Sequence, residues 1–419
     1  MLDNLFFNID YKPFINLVLR SLSMACKFFL IIFMAKIFSP DEVGLFGLFL
    51  VTLVYAQLII GGEFYTYSQR ELILQGSKKY SFVLQHQALA LLFLYIFIIP
   101  LLTIIFAFDT LPQHWAKWFF LLLFFEAIAQ ELNRILIALE HQISASIILF
   151  FRQGLWVILI FFYMYLNPNN QSVELVFKAW LYGSIFSVIL GMLFIRRVIL
   201  ITRLKKIDFH WIKKGFKVSF LFFIGALCFK GLFTFDRYVV EAIVGTSFLG
   251  IYVVYIGIAM SLFSILDPLV FSFSYPKIIN SIAKKNISNF NMLMKILAKK
   301  TIFFSTIFIF FVFFISPYLF MWLGNPIYSD NLNILMVLLA ASYFYALSMI
   351  PHYGLYALKK DKLLMTIHLM CFLVFVFFLY ILQFYFINVQ VAGVSLLLTF
   401  LLMGAAKLLF LLKYRNLEL

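Results

Sequence analysis

Long apolar blocks, separated by short polar segments, run along this chain and constrain its fold more than any other feature. Hydrophobic residues make up 64% of the 419 residues and charged residues only 12%, against about a quarter charged in soluble domains. A water-soluble protein of this length needs more polar side chains to cover its surface, so most of the chain must be surrounded by lipid. The sequence therefore predicts an all-α, polytopic membrane protein.

A helix needs about 20 apolar residues to cross the hydrocarbon core of a bilayer. Measured this way, the sequence predicts twelve membrane spans, at residues 14–38, 43–63, 85–107, 116–138, 143–166, 173–195, 217–244, 248–274, 300–323, 331–357, 363–387 and 391–412. The first block carries no small-residue cleavage pattern, so we interpret it as a retained span and not as a signal peptide.

The distribution of basic residues predicts the orientation of these spans. Alternate loops of a multi-span chain lie on the same side of the membrane. Most lysines and arginines fall on one such set of segments, at 70–79, 196–217, 277–300, 359–362 and 413–415, while only Lys36 and Lys117 flank loops of the other set. By the positive-inside rule, both termini are cytoplasmic. The net charge of +15 thus reflects orientation, and because no basic domain is present we expect no nucleic-acid partner.

The largest basic loop, at 196–217, divides the spans six and six. This predicts two pseudo-repeated six-helix lobes, an N-terminal lobe at 1–200 and a C-terminal lobe at 201–419. The second span of each lobe begins alike, with Gly44-Leu45-Phe46 in one and Gly250-Ile251-Tyr252 in the other.

Several basic side chains lie inside predicted spans, where an ionised group costs at least about 2.5–3.5 kcal/mol. Arg20 and Lys27 share one face of span 1, and Lys230 and Arg237 repeat that spacing in span 7. Arg152 adds a further cation in span 5. We predict that these five residues line a cationic cavity between the lobes, because Arg and Lys side chains suit phosphates and other anions.

The acidic residues inside the spans leave two interpretations open. Glu126, Asp236 and Asp267 are candidates for ion coupling, since a desolvated carboxylate can bind a proton near neutral pH. Each can equally be a structural counter-ion to a neighbouring base. Lys407 and Lys178 lie near helix ends, and we expect them to extend to the membrane interface.

The sequence lacks the usual signatures of enzymes and metalloproteins. Its three cysteines, Cys26, Cys228 and Cys371, are far apart, and its six histidines form no metal-binding motif. Neither a P-loop nor a Rossmann glycine pattern occurs. We therefore expect no catalytic residues, no metal and no cofactor.

Several segments resemble the bacterial O-antigen and polysaccharide flippases called Wzx, within the superfamily that also contains multidrug and toxin extruders. The resemblance rests on Arg20, residues 35–46 and residues 61–71 in the first lobe. In the second lobe it rests on Asp236-Arg237, Gly250-Ile251-Tyr252, Pro276, Trp322-Leu323-Gly324 and Tyr328.

The resemblance implies a flippase that moves an undecaprenyl-diphosphate-linked oligosaccharide, such as an O-antigen or capsule repeat, across the bacterial cytoplasmic membrane by alternating access. Arg20, Lys27, Lys230 and Arg237 would then engage the diphosphate or acidic sugars. Its partners would be the lipid-linked substrate, membrane lipids and, in the same pathway, a polysaccharide polymerase and a chain-length regulator. The identity of the sugar repeat and of the coupling ion stays open.

Two alternatives compete with this interpretation. A polymerase or ligase acting on lipid-linked glycans needs a sizeable outer loop for its catalytic site, and the predicted outer loops are short. A drug or cation exporter of the same superfamily is the rival among transporters, although a cationic drug favours a cavity with excess acid.

Overall fold

The computed structural model describes residues 11–75, 79–198, 206–385 and 390–418. All regular elements of these residues are helical, which confirms the predicted fold class. The helices are α1 (Tyr11–Ile37), α2 (Pro40–Gly61), α3 (Tyr65–Gln75), α4 (Tyr80–Leu102), α5 (Ile104–Ala107), α6 (Ala116–Ala138), α7 (Gln142–Phe150), α8 (Trp156–Leu166), α9 (Val173–Val198), α10 (Phe209–Val244), α11 (Thr246–Leu266), α12 (Ser272–Ala283), α13 (Ile287–Leu323), α14 (Pro326–Asp330), α15 (Leu332–Ala357), α16 (Asp361–Leu382) and α17 (Gln390–Glu418).

Eleven helical stretches within the described residues are long and apolar enough to cross a membrane. The remaining predicted span is α6, whose ends match the prediction at 116–138. It differs from the others in composition because it carries Lys117, Glu126, Glu131 and Arg134. The chain is a multi-pass membrane protein, and the orientation of its termini stays a prediction. Residues 199–205 of the basic loop, with Arg203 and Lys205, lie outside the described residues, as does Lys78.

Two helices extend well beyond their predicted spans. Helix α10 has 36 residues and α13 has 37, whereas about 20 suffice to cross the hydrocarbon core. At 1.5 Å per residue each helix is roughly 54–56 Å long. Their first three turns carry lysines, including Lys213, Lys214 and Lys295. The apolar blocks predicted the spanning parts, and the basic extensions lengthen the same helices at their N-terminal ends.

Two spans are widened by π-helical turns. Residues Phe151–Leu155 join α7 to α8, and residues Asp267–Phe271 join α11 to α12. In the second turn Pro268 has no N–H to donate, so the regular α-helical bonding pattern cannot continue through it. Each turn contains a residue singled out from the sequence, Arg152 in the first and Asp267 in the second.

The chain divides into two compact units. The first unit comprises residues 1–30 and 52–223, and the second comprises residues 31–51 and 224–419. The predicted lobes at 1–200 and 201–419 are a division along the sequence, and their boundaries stay a prediction.

In the first unit, buried contacts fix the beginning of α10 against α4. The Asp208 carboxylate accepts a hydrogen bond from the Trp211 N–H at 2.9 Å and so caps the helix. The fully buried His86 accepts the Asp208 N–H at Nε2 at 2.8 Å, so its Nδ1 carries the proton and donates to the Phe82 carbonyl. The Trp211 ring packs edge-on against Phe64, with centroids 5.9 Å apart.

In the second unit, α2 and α11 cross at the two glycines that begin alike in sequence. A Cβ atom on Gly250 would collide with the Pro40 carbonyl group, and one on Gly44 would lie 3.0 Å from the Gly250 nitrogen. The Asp41 carboxylate accepts hydrogen bonds from the hydroxyls of Thr246 and Ser247 at the start of α11. The matching glycines therefore allow the close approach of these two helices.

The end of α1 is tied to the end of α13 in the same unit. The Lys36 ammonium donates to the Trp322 carbonyl at 2.5 Å and lies 5.0 Å from the centre of the Trp322 ring. Gly324 ends α13 in the left-handed conformation, with φ of 79°. A cation at a helix C-terminus satisfies carbonyls that have no partner within the helix. Two segments quoted for the family resemblance thus meet at Lys36.

Candidate functional site

A partly open cavity of about 490 Å³ lies between α2, α4 and α6 in the first unit. Leucine, isoleucine, alanine and aromatic side chains form most of its wall. Its polar residues are Gln57 from α2, Gln87 from α4, and Gln130, Glu131 and Arg134 from α6. A mostly apolar cavity with a few convergent polar groups is typical of binding sites for small organic molecules.

The charges of this cavity are balanced. Arg134 donates to the Glu131 carboxylate at 2.6 Å, and its guanidinium stacks 3.7 Å from the centre of the Tyr65 ring. Burial, together with the negative charge of Glu63, raises the pKa of Tyr65 to about 12, so its hydroxyl stays protonated at physiological pH. Because one acid faces one base, the cavity does not require an anionic ligand.

Gln87 holds an unused acceptor. Its side-chain amide donates to Glu131 at 2.7 Å. A carboxylate can only accept, so this bond fixes the orientation of the amide. The Gln87 Oε1 atom is buried and has no hydrogen-bond partner among the described residues. A buried acceptor without a partner carries a desolvation cost of about 1–3 kcal/mol, which a ligand with an N–H or O–H group would relieve.

Glu126 on α6 and Arg152 in the first π-helical turn form a second polar cluster in the first unit. Both side chains are buried, and Arg152 donates to Glu126 at 2.7 Å. The same carboxylate accepts from Trp180 at 2.9 Å and from Ser184 at 2.6 Å. Arg152 also lies 3.4 Å from the oxygen of Gln130, a cavity residue. The structure thus brings two predicted site residues together as a buried ion pair.

The predicted residues of α1 are placed differently. Arg20 is half-buried and donates to the Ser146 hydroxyl at 3.2 Å, and that hydroxyl in turn donates to the Asn16 side chain. No carboxylate of the described residues lies within salt-bridge distance of Arg20. Lys27 is exposed. The assignment of both residues to substrate binding stays a prediction.

The predicted residues of the second unit divide in the same way. Asp236 is fully buried and accepts from the Tyr252 hydroxyl at 2.8 Å and from Arg237, whose guanidinium lies 3.2 Å away. Lys230 is exposed, and Asp267 is half-buried in its π-helical turn. The ion-coupling role of Asp236, Asp267 and Glu126 stays a prediction, although both Asp236 and Glu126 have the bonding of structural counter-ions.

Two features of the sites were missed or misplaced by sequence reasoning. Gln57 and Gln87 were not singled out, although an amide inside an apolar span is the same kind of signal as a charge. The expectation that Lys407 extends to the membrane interface is wrong, because this side chain is fully buried within the second unit. Lys178, for which the same was expected, is exposed.

Comparison with known proteins defines the fold. No family model and no curated protein matches the sequence. Among solved structures, the chain is similar to an inward-facing multidrug resistance MATE family transporter of the MOP superfamily, with a TM-score of 0.75 and 14% identity, over 96% of this chain and 94% of that one. An outward-facing transporter of that family matches with a TM-score of 0.66 and 14% identity, over 98% and 97%. The chain has the fold of the MATE transporters.

A third structure with this fold differs in its description. It is a MOP superfamily transporter from Pyrococcus furiosus, for which a reversed polarity of the binding pocket suggests a different function. The TM-score is 0.66 and the identity 13%, over 97% of this chain and 95% of that one. At such identities the likeness establishes the fold alone. The expected superfamily, and the O-antigen flippases within it, stay predictions.

Proposed function

We propose that this chain is a membrane transporter that exports amphipathic organic molecules and binds them in the cavity of the first unit. The fold shared with multidrug transporters supports the class of activity. The proposed class of ligand rests on the buried Gln87 Oε1 atom, which has no hydrogen-bond partner among the described residues. An apolar body would pack against the leucine and aromatic wall, and an N–H or O–H group would bind this acceptor.

The balanced cavity removes the objection to a cationic ligand. Two buried or half-buried cations of the first unit are paired with acids, Arg134 on α6 with Glu131 and Arg152 in the first π-helical turn with Glu126. A positively charged amine that reaches the polar end of the cavity would donate to Gln87 beside the Glu131 carboxylate. Apolar contacts would then hold the ligand in the cavity, and this hydrogen bond would fix its orientation.

The experiment compares two cations of similar lipophilicity. Ethidium carries amino N–H groups, whereas tetraphenylphosphonium has no hydrogen-bond donor. With purified protein in detergent, Gln87→Leu is expected to weaken ethidium binding by about tenfold, the equivalent of one hydrogen bond of roughly 1.4 kcal/mol. Tetraphenylphosphonium binding should be unchanged, since it makes no such bond.

Gln85→Leu is the matched control, because Gln85 lies on the same helix and does not line the cavity. It should leave the binding of both cations as in the unaltered protein. Equal loss of both ligands in Gln87→Leu would contradict the hydrogen bond. Absence of ethidium binding and of ethidium uptake into everted vesicles would contradict the proposed function.

Translocation of an undecaprenyl-diphosphate-linked oligosaccharide is the second candidate. The observation in its favour is Arg20, a half-buried cation inside a span that bonds to neutral Ser146 and pairs with no described acid. A cation in this situation suits a diphosphate. On this candidate the partners are the lipid-linked glycan, membrane lipids, a polymerase and a chain-length regulator, with the protein in the bacterial cytoplasmic membrane.

Mass spectrometry of lipid-linked oligosaccharides in a deletion strain tests this candidate. A complete repeat unit should accumulate on the inner leaflet, and expression of the Arg20→Gln variant at normal level should restore export poorly. Lys178→Gln, which changes an exposed cation, is the control and should restore it fully. Normal glycan export in the deletion strain would exclude this function, while an unpolymerised repeat on the outer leaflet would instead identify a polymerase.

A further inference from the structure

Helix α13 carries a shallow groove on a face that the rest of the second unit leaves uncovered. The groove has a volume of about 730 Å³, and its wall residues recur at helical spacing along this one helix. Isoleucine and phenylalanine side chains form most of the wall, with Thr306 near the middle and Lys299 at one end. Only 17% of the apolar spanning stretch of α13 is buried within the protein, so this face meets lipid.

The apolar part of the groove is about as long as one membrane leaflet is deep. It extends from Ile302 to Phe314, which at 1.5 Å per residue is roughly 18 Å. The hydrocarbon core of a bilayer is about 30 Å thick, so one leaflet supplies about 15 Å. Beyond the groove, Tyr318 and Trp322 are exposed aromatic residues of the kind found at the opposite interface. The groove therefore begins at the level of the lipid headgroups and ends near the middle of the bilayer.

The end of the groove at Lys299 is strongly basic. Residues 268–329 contain six lysines and no acidic residue, and these lysines are Lys277, Lys284, Lys285, Lys295, Lys299 and Lys300. All six are exposed, and no carboxylate of the described residues lies within salt-bridge distance of any of them. Lys295 lies one helical turn before Lys299 on the same face. Basic clusters of this size beside a membrane span attract anionic lipid headgroups.

A groove that is basic at one end and apolar along its length matches a phospholipid with a net negative charge. Its phosphate would bind Lys295 and Lys299, and one acyl chain would pack against the rings of the groove. A zwitterionic phospholipid brings a cation of its own to the lysines and loses much of this attraction. An undecaprenyl chain is much longer than the groove.

A second copy of this chain is a poorer match for the same face. Two copies related by a two-fold axis in one membrane would meet through identical surfaces. Their lysines would then lie at the same depth and face one another without an acid between them, which is unfavourable for like charges.

We propose that the groove on α13 binds one acyl chain of an anionic phospholipid, whose phosphate is held by Lys295 and Lys299. This site is separate from the cavity of the first unit, and it does not rest on the proposed transport function. A lipid bound in this way differs from the surrounding bilayer lipid because it is selected by charge and held at one place.

The first test is native mass spectrometry of the full chain in detergent, with phosphatidylglycerol and phosphatidylcholine of identical acyl chains. At roughly 1 kcal/mol for each of two lysines, the first phosphatidylglycerol should bind about 30-fold more tightly than phosphatidylcholine. Lys299→Gln should weaken phosphatidylglycerol binding about fivefold, and Lys299→Arg should preserve it. Lys413→Gln makes the same change of charge at an exposed position on α17 and should have no effect. Equal affinities for the two lipids, or equal losses in Lys299→Gln and Lys413→Gln, would overturn the proposal.

The second test locates the acyl chain. A phosphatidylglycerol with a diazirine on one acyl chain should label residues 302–314 on irradiation, and unlabelled phosphatidylglycerol should compete better than phosphatidylcholine. Phe310→Ala should lower the yield of this labelling. Phe313→Ala removes an exposed ring of the same helix that does not line the groove, and should leave the yield unchanged.

Three results of the second test would contradict the proposed ligand. Labelling spread evenly over the spans would indicate surrounding bilayer lipid only. Stronger competition by undecaprenyl phosphate than by phosphatidylglycerol would identify a different lipid, and a stable dimer that protects residues 302–314 would identify a second copy of the chain. Neither test measures ethidium binding or transport, so failure of the proposed function would leave the lipid site intact.

Discussion

The buried pair of Glu126 and Arg152 allows a quantitative prediction about stability. The side chains are only 4% and 8% exposed, and the carboxylate accepts from Arg152 at 2.7 Å, from Trp180 at 2.9 Å and from Ser184 at 2.6 Å. Glu126→Leu removes the carboxylate that accepts all three hydrogen bonds. The buried Arg152 guanidinium then keeps only the Gln130 oxygen, 3.4 Å away. Breaking a buried pair in this way costs about 3–5 kcal/mol.

Arg152→Met should cost less. The Glu126 carboxylate then keeps two neutral donors, and the loss is that of one hydrogen bond to a charged group, about 1.5–3 kcal/mol. The double variant Glu126→Leu with Arg152→Met removes both charges and fills the space with apolar side chains of similar size. It should be more stable than Glu126→Leu alone, because no uncompensated charge remains.

Unfolding at increasing mole fractions of sodium dodecyl sulfate measures the free energy of unfolding of the unaltered protein, the two single variants and the double variant. The double-variant cycle should yield a coupling of at least about 1 kcal/mol, above the roughly 0.5 kcal/mol scatter of independent sites. Additive single effects would refute the claim that this pair stabilises the first unit as a bonded network. A double variant less stable than either single variant would refute it as well.

Two further predictions concern backbone packing and alkaline pH. Gly250→Ala should destabilise the protein by about 1–3 kcal/mol, because the added Cβ would meet the Pro40 carbonyl group. Gly61→Ala should be neutral, because no atom lies within 4 Å of its added Cβ. Thermal unfolding in detergent distinguishes the two variants. The pKa of Tyr65 is raised from 10.0 to about 12 in the folded protein, so the unfolded chain loses this proton first and stability should fall as pH rises through that interval. Tyr65→Phe should show a smaller fall over the same pH range, and an identical pH profile would contradict the shift.

The spans were predictable because an apolar block of about 20 residues has few alternatives to a membrane helix. The predicted ends of 116–138 coincide with those of α6 despite its four charged residues. The N-terminal ends of α10 and α13 were not predicted, because hydropathy reports where lipid begins and not where a helix begins. A basic helical turn outside the bilayer has the same composition as a loop.

The sites were less predictable because charge alone does not identify the partner. Glu126 and Arg134 both lie on α6, yet Glu126 bonds to Arg152 on the neighbouring span and Arg134 bonds to Glu131 at the cavity. Which side of a uniformly apolar helix is covered by protein depends on packing between distant segments. For that reason the sequence placed Lys407 at the interface, while α15 and α16 enclose it.

The enclosure of Lys407 also bears on how the protein is assembled. Helices α15 and α16 precede α17 in the chain, so the ribosome completes both helices before Lys407 is made. A lysine inside a spanning helix is costly to insert, up to about 2.5–3.5 kcal/mol at the helix centre. The last helix can leave the lipid as soon as it meets the two helices already synthesised. A circular permutant that began with α17 would have to hold this lysine in lipid until its neighbours were made, and such a chain should insert poorly.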